Sequence, residues 1–207
     1  FEDYSRFSQI DNGSIGGKAR GLAFMDRMLS RYLDNDSFQG MHISIPRTLV
    51  IGTDVFDSFM SQENLKDYAM HENSDAHLAN TFIRANLPPR ILGDLNEFIR
   101  HEPQPLAVRS SSMLEDSLYQ PFAGIYATKM IPNDQIGVNL RFLNLVNAIK
   151  YVYSSTYTAR AKSYICSSGN NIENEKMAVA IQKVVGRRHG SMFYPDFSGV
   201  ARSFNYY

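Results

Sequence analysis

Residues 105–128, PLAVRSSSMLEDSLYQPFAGIYAT, concentrate the groups in this chain that can do chemistry. A short apolar run, Leu106-Ala107-Val108, reads as the end of a buried strand. Arg109 and three serines follow it, then Glu115 and Asp116, then a corner at Pro121-Phe122-Ala123-Gly124. A buried strand that delivers a cation and a hydroxyl cluster into a loop suits anion binding. The planar guanidinium matches phosphate oxygens, and loop amides add further donors. The same residues also fit a purely structural arrangement. In that reading Arg109 pairs with Glu115 or Asp116, while Ser110, Ser111 and Ser112 cap a turn or helix.

Two further segments carry weaker signals. Gly16-Gly17-Lys18 precedes an amphipathic stretch, where helix N-terminal amides and a mobile ammonium favour anions. It is not a P-loop, because Asn12 stands where the first glycine is needed and Ala19 replaces the magnesium-binding hydroxyl. Taken alone, a glycine pair before a helix is mostly turn chemistry. Gln182-Lys183-Val184-Val185 ends an apolar strand. It reads either as a strand running into a turn, or as a strand end offering backbone groups and valine walls to a flat heteroaromatic ring. The five histidines stand singly, so none is assigned to a metal. No nucleophile elbow is present.

The elements that must position these residues alternate without a repeat. Leu22, Met25, Leu29 and Leu33, widened by Phe24 and Met28, predict a helix after Gly17. Residues 43–51 read as a strand, with Pro46 at an edge or start, and Thr53 as the N-cap of a short helix bearing Val55, Phe56 and Phe59. Residues 62–80 read as polar, irregular and exposed. Pro88-Pro89 opens a helix whose inner face is Ile91, Leu92, Leu95, Phe98 and Ile99. Residues 125–130 predict a strand, and Asn133 or Asp134 caps a helical region reaching about Ile165 with a break near Ser154-Ser155. Residues 167–171 read as a hydrophilic loop. Residues 177–185 predict an apolar strand paired with 198–204 as a hairpin across 186–190. This mixed order points to an α+β fold.

The 207 residues suffice for one sizeable core or two small lobes. Hydrophobic residues make up 43% and charged residues 20%, ordinary for a globular protein. The formal net charge of +0 gives no electrostatic basis for nucleic-acid or acidic-membrane binding. A single cysteine, Cys166, excludes an internal disulfide framework and fits a reducing, cytoplasmic setting. No apolar run approaches a membrane span, and no signal peptide is visible. The chain opens without methionine and ends on Asn205-Tyr206-Tyr207, so it reads as an excised piece of something longer.

Taken in order, Gly-Gly-Lys, Ala-Val-Arg-Ser-Ser with a later Glu-Asp and Phe-Ala-Gly, Gln-x-x-Val, and Ser198-Gly199-Val200-Ala201 form a set. The set resembles the nucleotide-binding domain of phosphoenolpyruvate synthase and pyruvate phosphate dikinase, a module shared with rifampicin phosphotransferase and the glucan dikinases. The resemblance runs from Gly16 to about Asn205. It implies an ATP-grasp-like fold with a mixed, mainly antiparallel sheet and flanking helices, incomplete at the C-terminus. Residues 1–207 would be its N-terminal part, with sub-lobes of about 1–105 and 106–207.

By the same resemblance, Lys18 and Arg109 are the catalytic, phosphate-binding cations. Gly124 and Thr128 belong to a loop covering the phosphates, and Gln182, Val184 and Val185 line the adenine pocket at the hinge between lobes. ATP and Mg2+ are the implied cofactors, with the magnesium ligands expected downstream of this chain. ATP would phosphorylate a histidine on a separate swivelling domain, which passes the phosphoryl group to pyruvate on a phosphoenolpyruvate-binding domain. An antibiotic or glucan acceptor is the alternative, as is a degenerate, non-catalytic nucleotide module; the fragment alone is expected to be inactive. The chain departs from the family at Gln120-Pro121 and Ile125, which flank Phe-Ala-Gly, and at Arg202-Ser203-Phe204-Asn205-Tyr206. These departures mark a divergent branch.

Overall fold

A computed structural model describes residues 6–33, 38–62, 64–116, 122, 124–200 and 203–204. Among them, strands β1 (Phe7–Ile10), β2 (Thr48–Ile51), β3 (Leu106–Ser112), β4 (Thr128–Ile131) and β5 (Met177–Lys183) form one sheet in the order β1-β2-β5-β3-β4. β1 pairs parallel with β2, and the other pairings are antiparallel. The chain is therefore α+β with a mainly antiparallel sheet. Seven helices accompany it among the described residues: α1 (Gly16–Tyr32), α2 (Thr53–Met60), α3 (Leu65–His71), α4 (Asp75–Arg84), α5 (Pro89–His101), α6 (Val138–Ser154) and α7 (Ala159–Ser167).

The two faces of the sheet are covered very differently. Alternation sends Leu49, Ile51, Leu106, Val108, Val179 and Ile181 to the face that carries the main core. There α6 packs on β3, β4 and β5, and α5 and α4 pack on α6. Phe56, Phe59, Phe82, Tyr153 and Tyr157 fill this layer, with Phe56 and Tyr153 meeting edge to face at 5.1 Å. Each fully buried side chain of this size contributes about 1.5–3 kcal/mol relative to exposure. The expected inner face of α5 is correct: Ile91, Leu95 and Ile99 are buried, and Leu92 and Phe98 pack against the same cluster.

Among the described residues the opposite face carries a small apolar cluster, Ala19, Val50 and Ala180, with Phe7 and Ile15 beside it. It is met by α1, which contacts β3, β5 and the 3-10 turn at Leu114–Asp116. The buried residues of α1 are Gly16, Gly17 and Ala19. The stripe predicted for this helix does not seat on the core: Phe24, Met25 and Met28 are exposed. Small residues at its start let the first turn approach the sheet closely, and the rest of the helix runs past it.

Other boundaries also differ from expectation. The strand read over 43–51 begins only at Thr48, because Ile43 is exposed and pairing to β1 and β5 starts after Pro46. Thr53 is the first helical residue of α2 rather than its cap; Gly52 takes the N-cap position. Residues 62–80 are not irregular, since α3 and most of α4 lie there, anchored by Leu65, Ala69 and Leu78. Too few apolar residues mark these short helices for periodicity to reveal them. The strand read over 125–130 is shifted to β4, because a turn closes first through the Ile125 N–H to the Phe122 carbonyl at 3.1 Å. The break near Ser154-Ser155 is real: a 3-10 turn at Ser155–Tyr157 separates α6 from α7. The long helix is capped at Gly137, not at Asn133 or Asp134.

The predicted C-terminal hairpin is wrong. β5 lies between β2 and β3, and the hairpin is formed instead by β6 (Arg187–His189) with β7 (Met192–Tyr194). Residues 198–200 are in no strand, and 201–202 lie outside the described residues.

Candidate functional site

The site begins where α1 meets β3. Gly16 is the first residue of α1 and has φ +71°, a conformation that side-chain-bearing residues rarely adopt. A Cβ there would stand 1.6 Å from the Ser111 carbonyl oxygen, so only glycine permits this approach. Ser111 then takes over the capping of the helix. Its hydroxyl accepts from the Ala19 N–H at 3.0 Å and donates to the Ile15 carbonyl at 2.8 Å. These are the two groups that the first i to i−4 bond of a helix would pair. Gly16→Ala is expected to destabilise the protein by about 3 kcal/mol, from left-handed strain and overpacking together. The melting temperature should fall by about 6–12 °C; a midpoint equal to wild type in a thermal scan would contradict this packing.

The junction brings Lys18 to β3. Lys18 Nζ donates to Glu115 Oε1 at 2.5 Å and to Ser110 Oγ at 3.2 Å. Glu115, on the 3-10 turn after β3, also accepts from Ser110 Oγ at 2.9 Å and from the Ser112 N–H at 3.0 Å. Glu115 is the important residue that sequence reasoning placed wrongly. It was weighed as a partner of Arg109, whereas it holds Lys18. The side chain of Asp116, the other carboxylate weighed for Arg109, lies outside those described. Part of the structural reading of the serines does hold, since Ser112 Oγ accepts from the Leu114 N–H at 3.0 Å.

Arg109 is not in a loop. β3 continues through Ser112, because every residue from Leu106 to Ser112 finds a register partner on β5. Arg109 lies opposite Ala180 on β5 and Thr128 on β4. Its NH1 donates to Gln182 Oε1 at 3.2 Å, and the Gln182 amide donates onward to Thr48 Oγ1 at 3.3 Å. Arg109 Nε is buried without a hydrogen-bond partner among the described residues. A buried, unanswered guanidinium donor is a position that an anion oxygen satisfies.

Two polar groups therefore meet at β3: Arg109 with Gln182, flanked by Thr128, on the face of Ala180, and Lys18 with Ser110 and Glu115 one residue further along the strand, where alternation turns the Ser110 side chain to the other face. Val184 follows the end of β5 and is tied by its N–H to the Pro105 carbonyl at 2.9 Å, while Val185 is exposed. Gly124 is exposed, with φ +75° and open space around its Cα, on the turn leading to β4. The structure gives no contact from Gly124 to Lys18, Arg109 or Gln182.

Beneath that turn lies a buried acid. The Tyr126 hydroxyl donates to Glu175 Oε1 at 2.9 Å. Burial raises the Glu175 carboxyl above its ordinary 4.5, and it raises the Tyr126 phenol also, aided by the Glu175 charge. A folded-state pKa above the unfolded one means that the folded state holds the proton more tightly. The stability contributed by Glu175 is therefore full below about pH 4.5 and is lost as pH rises through the folded value. Glu175→Gln should flatten the fall of the melting temperature over that interval. Identical pH profiles for the two proteins would overturn this assignment.

The chain is a member of the pyruvate phosphate dikinase AMP/ATP-binding domain family, whose model matches residues 12–207. It is similar to phosphoenolpyruvate synthase from Aeropyrum pernix, 25% identical over 201 residues that cover 87% of this chain and 22% of that protein. It is likewise similar to phosphoenolpyruvate synthase from Escherichia coli K12, at 24% identity, covering 88% of this chain and 23% of that protein. The chain therefore spans less than a quarter of the length of these curated relatives. No helix among the described residues is long and apolar enough to cross a membrane.

Proposed function

We propose that this chain is the ATP-binding part of a phosphoenolpyruvate synthase or pyruvate phosphate dikinase-like phosphotransferase, with an ATP-grasp architecture. In this reading Lys18 and Arg109 contact the phosphates, Gly124 and Thr128 belong to the covering loop, and Gln182, Val184 and Val185 line the adenine pocket. Mg2+ accompanies the nucleotide, with its protein ligands further along the full protein. The bound ATP phosphorylates a histidine on a separate swivelling domain, and that domain carries the phosphoryl group to pyruvate.

The observation that carries the reading is Arg109, bonded to Gln182 with a buried guanidinium donor left unanswered, on the strand whose next residue, Ser110, accepts from Lys18. Phosphoryl transfer asks a protein chiefly for positioning and for neutralisation of charge, and two cations, Arg109 borne by β3 and Lys18 held against it from α1, supply both. Membership of an AMP/ATP-binding family supports the nucleotide.

The test is to incubate the full-length protein with labelled Mg-ATP and assay for an acid-labile phosphoprotein that pyruvate discharges. Discharge by an antibiotic or a glucan instead would move the acceptor and keep the ATP module. ATP binding without any phosphoprotein would replace this reading with a non-catalytic nucleotide module.

A further inference from the structure

We propose that Glu115 is a positioning residue for phosphoryl transfer, holding the Lys18 ammonium against the end of β3. The inference rests on the reading of Lys18 as a phosphate contact.

Its basis is an asymmetry in burial. The Glu115 side chain is 2% exposed and that of Lys18 is 31% exposed, so the ion pair is anchored from the protein side. Glu115 cannot follow the lysine outward, because its second oxygen is held by the Ser112 N–H. Ser110 closes a triangle, accepting from Lys18 and donating to Glu115. A free lysine stem samples many rotamers, and this triangle removes that freedom before any ligand arrives. An ammonium has three N–H donors. Two of them are committed to Glu115 and Ser110, which leaves one to meet an anion on the part-exposed side.

The carboxylate and Arg109 are also borne by one piece of backbone. Glu115 sits on the turn that directly continues β3, and Arg109 and Ser110 lie within β3. The spacing between Arg109 and the carboxylate that holds Lys18 is therefore set by a strand paired with β5 throughout and with β4 as far as Arg109.

The charge of Glu115 has an opposing effect, since it partly neutralises Lys18 toward an anion. Glu115→Gln loses both the charge and the anchor. The first loss strengthens ground-state attraction and the second weakens it, so affinity changes little. Transfer depends on alignment, which only the anchor supplies. A split between kcat and KM follows, and a residue serving merely to hold the turn together would not produce one.

The experiment measures ATP consumption by the full-length protein, with whichever acceptor discharges its phosphoprotein, for Glu115→Gln, Lys18→Met and the double variant. Glu115→Gln should lower kcat about 10–100-fold while the KM for ATP stays within about threefold. Lys18→Met should lower kcat at least as far, and the double variant should fall within about threefold of Lys18→Met. If Lys18→Met fails to fold, the double variant, which lacks the buried charge, replaces it and should be no faster than Glu115→Gln. Losses that multiply in the double variant, an unchanged kcat for Glu115→Gln, or a loss confined to KM would overturn the role of Glu115 alone. Wild-type kinetics in Lys18→Met, or a protein with no turnover, would remove the phosphate reading of Lys18 and this role with it.

Discussion

Replacing Lys18 by methionine is expected to lower the unfolding free energy by about 3 kcal/mol at pH 7, and adding Glu115→Gln should return most of that loss. Methionine keeps the length and apolar character of the lysine stem, so the change removes charge rather than volume. What remains is a carboxylate only 2% exposed that has lost its cation. Breaking a buried pair from one side typically costs about 3–5 kcal/mol, because the remaining charge is uncompensated. The low end applies here, since Ser110 Oγ and the Ser112 N–H still donate to Glu115. Glutamine at 115 carries no charge to desolvate, so the double variant escapes the penalty. The melting temperature should drop by about 6–12 °C in the single variant and largely recover in the double. Paired thermal and denaturant unfolding curves check both halves. A single variant as stable as wild type, or a double variant weaker than the single, would refute the buried-pair account.

Arg109→Ala should have the opposite profile, leaving the fold nearly intact and damaging nucleotide binding. Arg109 makes one described side-chain bond, to Gln182, and Gln182 keeps its own bond to Thr48. The loss of stability is expected to be within about 1 kcal/mol. A charge-assisted bond to phosphate contributes about 1.5–3 kcal/mol, so ATP affinity of the full-length protein should fall roughly tenfold to a hundredfold. Adenosine, which has no phosphate for Arg109 to meet, should bind the variant and the wild type alike. Equilibrium dialysis with the two ligands makes the comparison. Equal ATP affinity in the two proteins would remove Arg109 from the site.

Features set by local chemistry were legible in the sequence, and those set by pairing across the chain were not. The α5 face was readable because Pro88-Pro89 marks its start and five apolar residues keep helical spacing. The break after Ser154 was readable for a similar reason. By contrast, Arg109 and the three serines look like a loop, because polar residues in succession break the apolar run that marks a buried strand. Their strand character comes from β5, about seventy residues further on, whose backbone pairs with every one of them. The β5 pairing itself was assigned to residues 198–204, the nearest in sequence, whereas its partners are the distant β2 and β3.

The site follows the same division. Lys18, Arg109 and Gln182 could be selected by residue type and by family resemblance; the structure bonds Arg109 to Gln182 and holds Lys18 at Ser110, the residue after Arg109. Glu115 could not be assigned to Lys18 from sequence. The two are nearly a hundred positions apart, and Arg109 offered a nearer cation. The signal that could have found the pair is Gly16-Gly17, since two glycines at a helix start announce a close approach by another part of the chain. The exposed face of α1 was misread for a related reason: an apolar stripe predicts burial only where something lies opposite it.

Hydrogen exchange of the full-length protein with and without saturating Mg-ATP tests most directly whether the separate segments form one nucleotide site. The account predicts slower exchange together in residues 16–20, 124–128 and 182–185, with residues 106–109 of β3, paired on each side, slow in both states. The same experiment on Arg109→Ala, at an ATP concentration that saturates only wild type, should lose all three protections at once. ATP binding that protects none of these segments, or that protects only regions remote from Lys18 and Arg109, would contradict the account.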